Sequence, residues 1–349
     1  MSSAKKIRIA VIGASGYTGA DLVRLAYDHP NMEIAALTAN SHAGNPVESV
    51  FPHLTGLGLP ALVTNADVDW SKVDAAFCGL PHATSQEVIK GLPGHVKVID
   101  MSADFRLRNP ETYKQWYGNQ HAALDLQKEA VYGLSEHYRD DIRKTRLVAC
   151  PGCYPTAVLM LLLPLVKAGL VDASDLIVDA KSGVSGAGRS LKQNTLFCEA
   201  GEGMGPYSVG KHRHAPEIEQ ELSVAAGKDV IINFTPHLIP MNRGEFITAY
   251  ARLTSGKTAA DCEATLAQRY KDEPFVNMAP KGVLPATQYV RGSNRVMLGV
   301  VADRVPGRVI LMSTLDNLVK GSAGQAVQNF NLMFGLDETT GLSQVTLFP

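Results

Sequence analysis

Short β-branched runs alternate with amphipathic stretches from Ile7 to about Gly152, which is the pattern of parallel βαβ units. Strands are predicted at Ile7 to Ile12, Glu33 to Thr38, Ala75 to Cys78, Val96 to Asp100 and Leu147 to Ala149. From about Asp175 the texture changes. Strands at Leu176 to Ala180, Ile231 to His237, Glu245 to Arg252 and Arg295 to Ala302 are joined by loops and only two or three helices, which reads as a mixed, largely antiparallel sheet. The last amphipathic stretch, Asp316 to Phe334, is long enough to be a helix that packs back on the first domain. The pattern therefore predicts an α/β chain with a parallel-sheet domain over residues 1–152, an α+β domain over 153–315 and a returning helix within 316–349.

A chain of 349 residues exceeds a typical single domain, in keeping with that division. With 33 Lys and Arg against 34 Asp and Glu, the formal net charge is -1, so nothing points to nucleic acid or an anionic membrane surface. A small-molecule substrate is the better default. Five cysteines, at 78, 150, 153, 198 and 262, are odd in number and thinly spread, which argues against a disulfide framework and for a reducing compartment. Lys5, Lys6 and Arg8 precede a first strand and not a signal-peptide core, and the longest apolar run, Ala157 to Val166, is interrupted by Pro164 and too short to span a bilayer. A cytoplasmic protein is expected.

Gly13-Ala14-Ser15-Gly16-Tyr17-Thr18-Gly19 follows the first predicted strand and opens an amphipathic stretch, Ala20 to Tyr27. Glycines there permit a tight turn and close approach of backbone N–H groups, and the helix start receives a pyrophosphate. The spacing is GxxGxxG and not GxGxxG, and a glycine-rich strand-to-helix turn with no ligand is the plainer alternative. With a ligand, the domain is of the Rossmann type. The second strand ends Leu37-Thr38-Ala39-Asn40-Ser41-His42 without a carboxylate to hold a ribose 2′-OH, and Ser41 with nearby amides suits a 2′-phosphate, so NADPH is favoured over NADH.

Cys150-Pro151-Gly152-Cys153-Tyr154-Pro155-Thr156 sets a thiol immediately before an apolar helix, with Pro155 suited to its first position. Unpaired N–H groups and the positive dipole end favour a thiolate at such a place. Three readings compete for Cys153: a buried structural thiol, a CxxC redox pair with Cys150, and a covalent nucleophile that forms a thioester and then receives hydride. The third needs an acid/base group, and His212-Arg213-His214-Ala215-Pro216-Glu217 offers one. Pro216 would open a helix beside His214, disfavouring imidazolium, and Glu217 is close enough to orient an imidazole or hold a substrate amide. No adjacent Cys/Asp pattern completes a metal site around the two histidines. Arg106, in Ser102-Ala103-Asp104-Phe105-Arg106, would either clamp a phosphate or carboxylate or pair with Asp104.

Together these segments resemble the N-acetyl-γ-glutamyl-phosphate reductases, arginine-biosynthesis relatives of aspartate-semialdehyde dehydrogenase. The resemblance runs nearly end to end. It rests on Gly13 to Gly19, Gly79-Leu80-Pro81-His82, Ser102 to Leu107, Pro151 to Thr156, Lys181 to Gly188, His212 to Gln220 and Asp316 to Gly321. It implies a nucleotide domain, a dimerising catalytic domain, a homodimer or homotetramer, and NADPH-dependent reduction of an acyl phosphate through a Cys153 thioester. His214 is then assigned proton transfer and His212 substrate binding, roles the two would be able to exchange. Arg106, Glu217 and Ser102 are expected at the substrate. Gly13, Ser15, Gly16, Tyr17, Thr18, Gly19, Thr38, Ser41, Gly79 and Pro81 are expected at NADP(H), joined by Ser182, Gly183 and Asn317 once the last helix packs back. Cys150 departs from the family and raises the prospect of an inactivating bond to Cys153. Two further readings stand beside this one: a reductase of a carrier-protein-linked glutamyl or aminoadipyl phosphate, and an NADPH-binding thiol redox sensor.

Overall fold

The computed structural model describes residues 6–349, so Lys5 and the four residues before it lie outside the described residues. The chain divides into two units: one runs to Pro151 and regains Ser322–Ser343, and the other holds Gly152–Gly321 and Gln344–Pro349.

In the first unit, β1 (Ile7–Ile12), β2 (Met32–Thr38), β3 (Leu62–Val63), β4 (Ala75–Cys78), β5 (Lys97–Asp100), β6 (Val131–Tyr132) and β7 (Leu147–Ala149) form the expected parallel sheet. Its order is β3-β2-β1-β4-β5-β7-β6. The helices are α1 (Tyr17–Tyr27), α2 (Ser85–Lys90), α3 (Pro110–Tyr117), α4 (Leu124–Glu129) and α5 (Ser135–Ile142). Strands buried on both faces must be apolar throughout, which is why β1 and β4 read as unbroken runs and why Ile9 to Ile12 and Ala75 to Cys78 are fully enclosed. The sheet order reverses between β1 and β4, and at such a switch point the strand ends leave a crevice for a ligand.

The predicted helix Asp316 to Phe334 begins later than the pattern suggests. Asp316 accepts the N–H groups of Leu318 and Val319 through Oδ1, a local turn that competes with helix. A π-helical turn, Val319–Ala323, follows and leads into the terminal helix Gly324–Met333. That helix packs on α1, α5 and β5 and is buried on every side, polar residues included. Its amides are engaged instead of solvated: Gln325 and Asn329 donate to the Gly133 carbonyl at 2.8 and 2.9 Å, and Asn331 pairs with the His29 ring at 2.9 Å.

The second unit holds β8 (Val171–Gly183), β9 (Gly205–Pro206), β10 (Asn233–Ile239), β11 (Glu245–Leu253), β12 (Val276–Met278), β13 (Val296–Ala302) and β14 (Arg308–Leu315), in the order β12-β13-β14-β11-β8-β10-β9. Only β8–β10 and β12–β13 pair in parallel, so the sheet is mixed and largely antiparallel. The strand expected at Ile231 to His237 starts two residues later, because the Val230 and Ile232 N–H groups bond back to Ser223 and Glu219. Helices α6 (Cys153–Lys167), α7 (Phe197–Ala200), α8 (Ala215–Ala226) and α9 (Ala259–Tyr270) complete the unit.

Two expectations about α6 need correction. The helix starts at Cys153 and not at Pro155, which occupies the third position; the first N–H groups of a helix have no partner within it, so proline there removes no bond. Nor does Pro164 interrupt it. The missing Pro164 N–H would have bonded the Met160 carbonyl, and the buried Tyr270 hydroxyl of α9 donates to that carbonyl instead at 2.7 Å. Tyr270→Phe should thus destabilise the fold by about 1–3 kcal/mol, the cost of an unsatisfied buried carbonyl. Most of that loss should vanish when Pro164→Ala restores the helical N–H in the same chain. Denaturant unfolding of the four chains of this cycle checks it, and additive losses would disprove the substitution of one donor for the other.

Candidate active site

In the second unit, Cys153 is the first residue of α6, half-buried, with Gly152 as the capping residue. Three neighbours define its seat. The Gly152 N–H donates to Glu217 Oε1 at 2.8 Å, and the Gly152 carbonyl accepts both the N–H and the hydroxyl of Thr156 at 2.9 Å. The His214 ring lies flat against Gly152: a Cβ there would fall 2.6 Å from Cε1 and 2.8 Å from Cδ2, and closer still to Nε2. Gly321 closes the other side, where a Cβ would stand 2.7 Å from Cβ of Cys153.

The histidine pair belongs to the start of α8, which His214 caps and whose second position is Pro216. The His214 N–H donates to His212 Nδ1 at 3.1 Å, so that nitrogen carries no proton and Nε2 is the donor. Burial, with a smaller contribution from the Arg213 charge, lowers the His212 pKa to about 4. Tyr154, Tyr207 and Phe234 surround this ring with centroids 5.3 to 5.5 Å away. Tyr154 and Tyr207 share a hydroxyl contact at 3.4 Å, and burial raises the pKa of both. The pattern thus brings Cys153, His212, His214 and Glu217 together, with Glu217 engaged on the cysteine turn.

Sequence reasoning missed Glu245, the first residue of β11. It is fully buried, and its carboxyl faces the Cys153 thiol. The available signal was an acidic residue heading an otherwise apolar strand.

Ser182, Gly183 and Asn317 also gather in this unit. Asn317 donates to Ser185 Oγ at 3.0 Å and accepts the Gly244 N–H at 2.8 Å, and Ser182 Oγ donates to the Gly183 carbonyl at 3.1 Å. Both side chains are enclosed, and Gly183 is required because a Cβ would strike the backbone of Met241 to Arg243. These side chains hold the loop in shape.

In the first unit, the glycine turn and the end of β4 meet at the switch point. Gly13 has φ of +82°, and a Cβ on it would lie 2.5 Å from the Gly79 carbonyl oxygen. The Thr38 carbonyl accepts the N–H groups of Gly13 and Ala14, tying β2 to the turn. Gly16 caps α1, Tyr17 and Thr18 begin it, Ser15 is half-buried, and a Cβ on Gly19 would fall 2.8 Å from the Ala14 Cα. Ser41 and Pro81 are exposed at the ends of the β2 and β4 segments. The close backbone approach and the open helix start fit a dinucleotide pyrophosphate.

Arg106 and Ser102 lie beyond the end of β5. Both are buried; Arg106 donates to the carbonyls of Cys150 at 2.8 Å and Met101 at 3.1 Å, bracing the ends of β5 and β7. Asp104 is engaged by the Ala83 and Ser85 N–H groups and by the Ser85 and Tyr113 hydroxyls. Ser102 Oγ donates to Asp100 Oδ2 at 2.8 Å and contacts Ser85 Oγ at 2.7 Å. Ser102 is thus tied to Asp100 and Ser85 within this unit. Cys150 is also buried, its thiol 3.5 Å from Asn329 Nδ2 and pushed up to about 12 by burial, so it is a poor attacking or resolving thiol. Among the described residues no cluster suits a metal ion, and no helix is long and apolar enough to cross a membrane.

Comparison with known proteins agrees with this arrangement. Residues 8–145 match the semialdehyde dehydrogenase NAD binding domain, and residues 153–317 match the semialdehyde dehydrogenase dimerisation domain. The chain is 55% identical over 350 residues to the N-acetyl-γ-glutamyl-phosphate reductase of Rhodospirillum rubrum, covering 99% of each chain. It is 53% identical to a probable chloroplastic N-acetyl-γ-glutamyl-phosphate reductase of Arabidopsis thaliana, covering 99% of this chain and 86% of that one. Among solved structures, aspartate semialdehyde dehydrogenase II of Vibrio cholerae, complexed with ASA, superposes with a TM-score of 0.71 at 15% identity, covering 95% of this chain and 99% of that one. Aspartate semialdehyde dehydrogenase with NADP from Candida albicans superposes at 0.66 and 16% identity, with the same coverage. Those two likenesses concern the fold, while the sequence matches carry the kinship: the chain belongs to the semialdehyde dehydrogenase family and, within it, to the N-acetyl-γ-glutamyl-phosphate reductases.

Proposed function

We propose that this protein reduces N-acetyl-L-glutamyl 5-phosphate to N-acetyl-L-glutamate 5-semialdehyde and phosphate with NADPH, through a thioester on Cys153. The observation that carries the reading is the seat of Cys153 at the start of α6, with the His214 ring packed on the preceding glycine. The names of the relatives supply the acyl phosphate. The dimerisation-domain match supports a homo-oligomer, a dimer or tetramer, while the few, thinly spread cysteines and near-zero net charge support a reducing cytoplasm and a small-molecule substrate.

The Cys153 thiolate attacks the acyl carbon; a C–S bond forms, the C–O bond to phosphate breaks, and phosphate leaves with the electron pair. His212, neutral and with Nε2–H outward from its Nδ1 acceptor contact, donates a hydrogen bond to substrate oxygen. Bound nicotinamide supplies the hydride that reduces the thioester. When the resulting thiohemiacetal collapses, the C–S bond breaks with its pair on sulfur, and His214 moves the hydroxyl proton toward that sulfur. Glu217 holds the Gly152 N–H and so fixes the turn from which the thiol projects.

The cofactor would rest on Gly13 to Gly19, Thr38, Gly79 and Pro81, with Ser41 near the 2′-phosphate. The absence of any carboxylate from Leu37 to His42 supports NADPH, since an acid there would repel the extra phosphate. Ser41→Asp should raise KM for NADP by ~10-fold or more and leave KM for NAD little changed; equal effects on both cofactors would remove Ser41 from the phosphate site.

Purified protein should reduce NADP in the presence of N-acetylglutamate semialdehyde and phosphate, and no turnover under these conditions would defeat the reading. Cys153→Ser should lower kcat by ~10³-fold or more with unchanged unfolding behaviour. Gly152→Ala should displace the His214 ring and lower kcat by roughly 10²-fold; a variant as active as the wild type would show that this ring plays no part.

A further inference from the structure

Glu245 is a chemically loaded group that the reaction above does not use. Glu245 heads β11, pairing with Ser182 of β8 on one side and Leu315 of β14 on the other. Residues directly opposite on neighbouring strands share a face, so Glu245 projects with Ser182 and Leu315. That face is covered by α6, and the Leu315 methyl and Cys153 Cβ both border the Gly321 position, at 3.1 and 2.7 Å from a Cβ built there. The carboxyl is fully buried, and neither oxygen has an N–H or O–H partner. The Cys153 thiol lies close enough to act on the carboxyl, with no geometric hydrogen bond between the two.

A buried carboxyl without donors belongs among the costliest arrangements in a fold unless it carries a proton or serves a partner. We propose that Glu245 and Cys153 act as a proton-sharing pair, in which the carboxyl keeps its proton and donates it as a hydrogen bond to the Cys153 sulfur whenever that sulfur is anionic. The pair starts with two protons, one on sulfur and one on oxygen. Loss of the thiol proton to His214 leaves sulfur anionic with Glu245–H bonded to it. When the C–S bond forms, the sulfur pair becomes the bonding pair and Glu245 retains its proton. When the C–S bond later breaks, the pair returns to sulfur, and the same O–H stabilises it as a leaving group.

Burial pushes the Glu245 carboxyl up to about 8, with the Cys153 thiol opposing the shift, so near neutral pH it is a donor. The titratable groups facing it are Cys153 and Tyr154 of α6 and Tyr207, and both tyrosines stay neutral in this range. The linkage follows in sign. The unfolded chain releases this proton near pH 4.5 and the folded chain near 8, so the stability that Glu245 contributes is full below 4.5 and is lost as pH rises through 8.

The inference rests on Cys153 being the nucleophile, and its test avoids the substrate. Alkylation of Cys153 by iodoacetamide is followed by peptide mass spectrometry across pH in wild type, Glu245→Gln and Glu245→Leu. The wild type should show two titration limbs, the upper one near pH 8 where the carboxyl ionises beside sulfur. Glu245→Gln keeps a donor and loses the upper limb. Glu245→Leu should titrate ~1–2 pH units higher and react roughly 10-fold more slowly at pH 7. Steady-state kinetics should show kcat falling ~10²-fold in the Leu variant with KM little changed, and largely recovered with Gln. Thermal unfolding of Glu245→Gln, which is isosteric, should lose the decline between pH 4.5 and 8 seen in the wild type, a readout that does not require the Leu variant to fold. Identical alkylation profiles for wild type and Glu245→Gln would overturn the pair. The expected profiles without turnover of the acyl phosphate would sustain the pair and defeat the substrate assignment instead.

Discussion

The position of the reactive thiol depends on how one apolar helix is buried. From Tyr154 to Val166 every side chain of α6 is enclosed, so the helix has no polar face that would let it rotate or slide against the sheet. Close packing of that kind makes the helix start a fixed point. At Gly321 and Gly152, neighbouring groups then come nearer than any side chain would allow, Cys153 at the first and His214 at the second. Stability and reactivity are thus set by the same packing.

A second theme is neutrality. His212 is held without a charge by burial and the Arg213 charge, and the tyrosines and Glu245 by burial. A developing anion on sulfur or on a substrate oxygen would meet oriented donors in place of mobile water, the condition in which fixed dipoles act most strongly. The helix start contributes to the same field without adding a titratable group.

Much of this was legible in the residues. Short, nearly continuous β-branched runs marked β1, β2, β4, β5 and β7, because strands buried on both faces of a parallel sheet have no polar side to show. The glycine turn was readable since Gly13 and Gly19 are needed for contacts no other residue permits. What was not legible came from distant partners. Nothing local says that a tyrosine more than a hundred residues away replaces the donor missing at Pro164, so the helix looked interrupted. Type and place at a strand end suggested a ligand clamp or an Asp104 partner for Arg106 and a substrate contact for Ser102, but could not show their bonds to the carbonyls of Met101 and Cys150 and to the Asp100 carboxylate. Glu245 looked like an ordinary strand start until the cross-strand register put it on the face covered by α6.

The Cys-Pro-Gly-Cys run also makes the chain its own gauge of foldedness. Cys78, Cys150 and Cys262 are buried, and burial raises the pKa of each, whereas Cys153 is half-buried and Cys198 is exposed. A thiol-directed label added to intact protein has two addresses, one at the reaction centre and one on the surface. Labels appearing on the other three count molecules that have opened, so a single reagent distinguishes loss of the nucleophile from loss of the fold.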